Sequence, residues 1–129
     1  MMKKLLILII SIVALLGCTN DDGDNNLTGV NIRLSNVSKY KFQNIIVNTT
    51  SGNVNFGNLD SGQKSAYKQF EKAYRYAFVE LEIDGKKYTL QPIDYVGETL
   101  LEDGKYTYKI DATDSNDQYA RLSLTFVED

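Results

Sequence analysis

The chain has no histidine, no tryptophan, one cysteine and one proline among 129 residues. Without an imidazole there is no His general base, so Ser-His-Asp and Cys-His nucleophile systems are excluded. A zinc cluster of the usual His and Cys ligands is excluded with them. A single cysteine cannot form a disulfide framework within the chain. Lys and Arg total 14 against 17 Asp and Glu, for a formal charge of -3, which points away from a nucleic-acid partner. No Gly-rich phosphate cradle, nucleophile elbow or basic patch occurs. The expectation is therefore a protein without catalytic residues, metal or cofactor. Apolar residues make up 43% of the chain and tyrosines number nine, enough to pack a domain rather than leave a disordered chain.

The first residues form a separate unit. Lys3 and Lys4 are followed by an apolar run over residues 5–16, broken only by Ser11. A membrane-spanning helix needs about 20 apolar residues, so this run has the length of a signal h-region instead. It ends Leu15-Leu16-Gly17-Cys18, which resembles the lipobox of bacterial lipoproteins. The resemblance implies cleavage by signal peptidase II between Gly17 and Cys18, with acyl chains of the palmitate class on the new N-terminal Cys18. Leu15 and Gly17 fit the favoured positions, and Leu16 is a tolerated neighbour. Each buried methylene contributes about 0.8 kcal/mol, so several acyl chains hold a protein on a bilayer where one does not.

Residues 19–26 contain no apolar side chain. They cannot bury surface to offset the entropy of ordering, so a flexible tether spanning about 15 Å is expected. Thr19 stands where an aspartate would favour inner-membrane retention in enterobacteria, which implies outer-membrane sorting. Asp21, Asp22 and Asp24 resemble the acidic export signals of surface-exposed Gram-negative lipoproteins. The face of the membrane, outward or toward the periplasm, stays open. The expected organisation is a signal over residues 1–17, lipidated Cys18 and a tether over 18–26, and a folded domain over 27–129.

From Leu27 the dominant period is two. Val30, Ile32 and Leu34 alternate with Asn31, Arg33 and Ser35; Ala77, Val79, Leu81 and Ile83 with Phe78, Glu80, Glu82 and Asp84. Tyr106, Tyr108 and Ile110, and then Leu122, Leu124 and Phe126, repeat the pattern. One apolar and one polar face is the mark of antiparallel strands with a solvated side. Asp84-Gly85 is a two-residue hairpin signal that sets Leu81 opposite Tyr88, Val79 opposite Leu90 and Glu82 opposite Lys87. Over residues 62–75 a helix competes with a strand, and a strand at 66–70 fits better. The fold expected is all-β, a single antiparallel β-sandwich of about eight short strands.

Residues 101–110, Leu-Glu-Asp-Gly-Lys-Tyr-Thr-Tyr-Lys-Ile, resemble the turn-into-strand element of fibronectin-type, immunoglobulin-like and transthyretin-like sandwiches. The resemblance implies that the Tyr106 hydroxyl bonds back to main chain as a tyrosine corner. Residues 73–85 and 89–98 are similar to small Gram-negative outer-membrane lipoproteins with no assigned activity, and imply nothing further about chemistry.

Candidate sites are few. Tyr74, Tyr76 and Phe78 alternate on what reads as one strand face, and Tyr95 lies in a loop that could rim it. Exposed, that face is an aromatic platform for a glycan or a peptide; buried, it is core. Glu80 and Glu82 read as a solvated face rather than an acid–base pair. Asp111, Asp114, Asn116 and Asp117 crowd one loop, but their spacing matches no EF-hand, and Asp and Asn are ordinary turn residues. A non-enzymatic binding or structural module of the cell envelope follows, with an accessory subunit handling glycans or adhesion as the alternative. The expected partners are the membrane, through lipid, and a glycan or protein.

Overall fold

The computed structural model describes residues 29–92 and 98–129. Cys18, Gly17 and Tyr95 lie outside the described residues. Eight strands follow one another: β1 (Val30–Asn36), β2 (Phe42–Asn48), β3 (Asn53–Leu59), β4 (Lys68–Phe70), β5 (Phe78–Ile83), β6 (Lys86–Leu90), β7 (Gly104–Ala112) and β8 (Leu122–Glu128). They form two four-stranded sheets, in the orders β4-β1-β7-β8 and β3-β2-β5-β6. Among the described residues no helix is long and apolar enough to cross a membrane.

The alternating residues fill the space between the sheets. Ile32, Leu34, Tyr108 and Ile110 of the first sheet join Phe42, Ile45, Val47, Val79, Leu81 and Tyr88 of the second in one buried cluster. The β5–β6 hairpin has the expected register: Val79 opposite Leu90, Leu81 opposite Tyr88, Glu82 opposite Lys87. Asp84 and Gly85 both have positive φ, 51° and 80°, as this turn requires. The Lys87 ammonium, however, pairs diagonally with Glu80 at 3.2 Å, and Glu82 accepts from the Asn44 amide.

Two features depart from a simple alternating sandwich. β1 and β7 run parallel, with Ile32 opposite Tyr106 and Leu34 opposite Tyr108; every other pairing is antiparallel. The first strand lies between the fourth and seventh, and the second is in the other sheet. An immunoglobulin order would set the first strand beside the second. β1 is also buried on both sides, so Asn31 and Ser35 are not solvated as the alternation suggests, and Asn36 lies buried in phase with Ile32 and Leu34. β2 carries a bulge between Phe42 and Ile46. Asn44 takes positive φ there, and Ile45 faces Gly57, also at positive φ. The extra residue keeps Phe42, Ile45 and Val47 inside despite their three-then-two spacing.

The tyrosine corner is present. The Tyr106 hydroxyl donates to the Glu102 carbonyl at 2.6 Å. Burial, with Glu128 and Glu102 close by, pushes this phenol above its ordinary range, so it stays protonated as a donor.

Candidate functional site

The segment before β5 sets the geometry of the open flank. Three successive carbonyls are each held by a different neighbour. Thr49 Oγ1 donates to Lys72 at 2.7 Å, the Leu101 amide to Ala73 at 2.9 Å, and the Tyr108 hydroxyl to Tyr74 at 2.6 Å. In a strand, successive carbonyls would point to opposite sides. Here the chain is drawn off the sheet, and β5 begins only at Phe78.

That shift breaks up the expected aromatic platform. Tyr74 and Tyr76 precede the strand, and all three rings are half-buried. Phe78 sits opposite Asn48 on the outer face of its sheet. Tyr76 instead lines a cleft of about 420 Å³, with Ala77, Leu90, Gln91, Pro92, Leu122, Ser123 and Leu124. The cleft therefore opens where the edge strands β6 and β8 of the two sheets meet. A second cleft of about 190 Å³ lies further along β8, between Arg75, Leu100, Leu101, Glu102, Tyr106, Phe126 and Glu128. The Arg75 guanidinium stands 5.9 Å from the Phe126 ring, and Phe126 stacks on Tyr106 with centroids 5.4 Å apart.

Pro92 opens the loop expected to rim the aromatic face, whereas Leu90, Leu122 and Leu124 are not singled out by sequence as site residues, because each reads as ordinary core. The signal that could find them is positional: both strands end at the same side of the sandwich.

The other candidates have structural work. Glu80 is engaged by Lys87. In the acidic loop, Thr113, Ser115 and Asp117 side chains accept from the amides two residues on, the turn chemistry expected of such residues. The Asp114 carboxylate accepts from the Tyr40 hydroxyl and lies 3.6 Å from Lys39. Among the described residues, no group of three or more metal-ligating side chains converges.

A charged knot not anticipated from sequence covers the outer face of the first sheet. Asp129 Oδ2 accepts from the Thr107 hydroxyl at 2.6 Å and the Tyr67 hydroxyl at 2.7 Å. Arg33 donates to Thr107 Oγ1 at 3.0 Å and lies over the Tyr67 ring. Burial pushes the Asp129 carboxyl up, but the bonds from Thr107 and Tyr67, with Arg33 and Lys64 nearby, outweigh it and hold it below its ordinary value. A depressed carboxyl stabilises the fold above its unfolded pKa, and that contribution disappears as pH falls through the folded value. The chain should therefore be more stable than Asp129→Asn at pH 7, and the difference should begin to shrink only as pH drops below about 4. Urea midpoints for the two proteins between pH 7 and pH 3 measure this.

No family model matches the chain, and no curated protein sequence matches it. Among solved structures, the chain is similar to an NMR structure of a protein from Eubacterium rectale, with TM-score 0.50 and 16% sequence identity, over 78% of this chain and 91% of that one. The likeness shows the fold alone. The fold is an all-β sandwich of two four-stranded sheets.

Proposed function

We propose that this protein is a lipid-anchored, non-enzymatic binding module of the bacterial cell envelope, held on the outer membrane through Cys18. The observation that carries the reading is Leu15-Leu16-Gly17-Cys18, behind two lysines and an apolar run and ahead of eight polar residues. The domain has a surface to bind with, the apolar cleft beside Tyr76 at the open flank of the sandwich. Chemistry is disfavoured by the residue inventory, since proton transfer would rest on carboxylates and phenols alone. A role as an accessory subunit of an envelope complex is the second reading, favoured by the edge of β8, which no further strand pairs among the described residues.

Membrane fractionation and mass spectrometry test the anchor. The mature protein should begin at Cys18, carry acyl mass there and sediment with membranes. Cys18→Ala should leave the precursor uncut, as should inhibition of signal peptidase II. An unmodified thiol on the mature chain sinks the proposal. Protease treatment of intact cells separates an outward-facing protein, which is cut, from one facing the periplasm.

A further inference from the structure

Each sheet has two edges, and three of the four are protected. β4 is only three residues long. β3 faces the β2 bulge and contains Gly57 at positive φ. β6 begins with Lys86 and Lys87, and its Thr89 amide donates to the Gln118 carbonyl of the 113–121 loop at 2.8 Å. Short length, bulges, lysines and covering loops are the ordinary devices against edge pairing. Among the described residues, β8 has none of them. It runs seven residues, Leu-Ser-Leu-Thr-Phe-Val-Glu, with no lysine or proline and an unbroken register against β7.

The direction of its free groups follows from the ladder. The Asp129 amide donates to Lys105, and the Thr113 amide to Arg121. Residues of β8 in phase with these, Ser123, Thr125 and Val127, therefore bond to β7. Leu122, Leu124, Phe126 and Glu128 turn their N–H and C=O groups outward, and among the described residues these groups have no partner. Their side chains line the two clefts.

We infer that the β8 edge takes an extended segment of another polypeptide by antiparallel strand addition, an apolar side chain of that segment entering the cleft beside Leu124 and a basic one the cleft beside Glu128. This rests on the reading of the domain as a binding module and names its class of partner. A row of alternating donors and acceptors about 6.5–7 Å apart is satisfied by a peptide backbone; a glycan or an acyl chain has no such repeat. Residues directly opposite in an antiparallel pair share a face, so the one opposite Leu124 points into the larger, apolar cleft. The smaller cleft holds Arg75 with both Glu102 and Glu128; among the described residues neither carboxylate makes an ion pair. That excess of negative charge selects a cation. A second copy of β8 fits less well. With Thr125 on a two-fold axis, Glu128 would meet Leu122, and the nearby Arg121 is buried and turned to Thr113.

The test is amide hydrogen exchange on the full mature protein in detergent, with a synthetic peptide of alternating valine and threonine that carries a lysine and, four residues further on, a leucine. Saturating peptide should slow exchange at Leu122, Leu124, Phe126 and Glu128 at least tenfold, and leave Ser123, Thr125 and Val127 unchanged. N-methylation of the peptide on its β8-facing amides, or Glu128→Lys in the protein, should each weaken binding at least tenfold. Absence of protection at the four amides overturns the inference. So does protection that appears without peptide as protein concentration rises, which would identify a second copy as the occupant. Either failure leaves the lipid anchor standing, since fractionation reads that separately; an unmodified Cys18 would leave the exchange result standing.

Discussion

Asn36→Ala should cost about 3–4 kcal/mol, although the side chain is small and polar. Asn36 is fully buried at the end of β1. Its Nδ2 donates to the carbonyls of Tyr40 at 2.7 Å and Leu59 at 3.1 Å. Its Oδ1 accepts from the Ser38 amide at 2.9 Å and the Ser38 hydroxyl at 2.6 Å. All the hydrogen-bonding capacity of a carboxamide is used. Its backbone is tied as well, donating to Gln63 and accepting from Gly62. The side chain thereby ties the β1–β2 turn to the end of β3, and the backbone adds the loop that follows β3. Alanine takes their partner from the Ser38 amide and the Leu59 carbonyl, and leaves the Tyr40 carbonyl only the 3.2 Å bond from the Ser38 hydroxyl; each group stripped of a partner costs about 1–3 kcal/mol before relaxation and water offset part of it. Against the 5–15 kcal/mol of an ordinary domain the loss is large, and Tm should fall by about 15–20 °C. Asn36→Asp separates hydrogen bonding from cavity formation. A carboxylate has the same shape but cannot donate, and it faces two carbonyls. Burial there raises its pKa, so Asn36→Asp should be crippled at pH 7 and regain stability as pH falls and the carboxyl becomes a donor. Calorimetry of Asn36→Ala and Asn36→Asp from pH 7 to pH 4 reads both effects. An Asn36→Asp protein as stable as the parent at pH 7 would refute the account.

Asn36 also marks the boundary of what was legible in the sequence. The β5–β6 hairpin was, down to its register, because a turn that demands two positive φ values leaves one way to align the flanking alternation. Tyr106 was, because a turn followed by a tyrosine at a strand start brings its hydroxyl back onto the Glu102 carbonyl. Both are local devices, decided within ten residues or so. The parallel pairing of β1 with β7 was not, since residues 74 apart, such as Ile32 and Tyr106, leave no joint mark on either strand's alternation. Alternation reports that a strand has a wet and a dry side; it does not report that β1, with β7 along one edge and residues 63–70 hydrogen-bonded along the other, is dry on both. Asn31 and Ser35 therefore read as surface and are buried, and nothing in the alternation marks the polar Asn36 as a fully buried, fully bonded side chain. Tyr74, Tyr76 and Phe78 do not share one strand for a related reason. Period two over residues 73–83 is continuous, but the carbonyls at 72–74 are claimed by Thr49, Leu101 and Tyr108, partners from elsewhere in the chain. The cleft beside Tyr76 is a property of the topology, where two edge strands converge, and among the described candidates that residue alone lines it.

Arg121→Ala should destabilise the fold by about 3 kcal/mol and uncover the edge of β6. By alternation Arg121 belongs to the polar side of β8; in the fold it is only 7% exposed. Its guanidinium lies 4.5 Å from the centre of the Tyr40 ring and 4.6 Å from that of Tyr88, and its Nε donates to the Thr113 carbonyl at 2.8 Å. No carboxylate pairs with it among the described residues. Two desolvated cation–π contacts contribute roughly 2 kcal/mol each, and a charged donor to a carbonyl about 1.5–3 kcal/mol. The desolvation of an arginine offsets several kcal/mol of that sum. A net loss near 3 kcal/mol on truncation follows, because alanine also opens a void between the two rings. Lysine is a useful contrast. It keeps the charge but not the flat surface that lies against both rings, so Arg121→Lys should lose more than half as much as alanine does. Arg121→Met fills the slot and removes the desolvation cost, and should be the mildest of the three. The second effect follows from position. Arg121 closes the 113–121 loop, through its side chain on Thr113 and through its own carbonyl, which accepts from the Thr113 amide at 2.9 Å. That loop delivers the Gln118 carbonyl to the Thr89 amide. Loosening it should raise hydrogen exchange at Thr89 selectively, while Tyr88, buried in the core, stays protected below the global unfolding limit. Unchanged exchange at Thr89 in Arg121→Ala would show that the loop covers β6 without help from the stacked guanidinium.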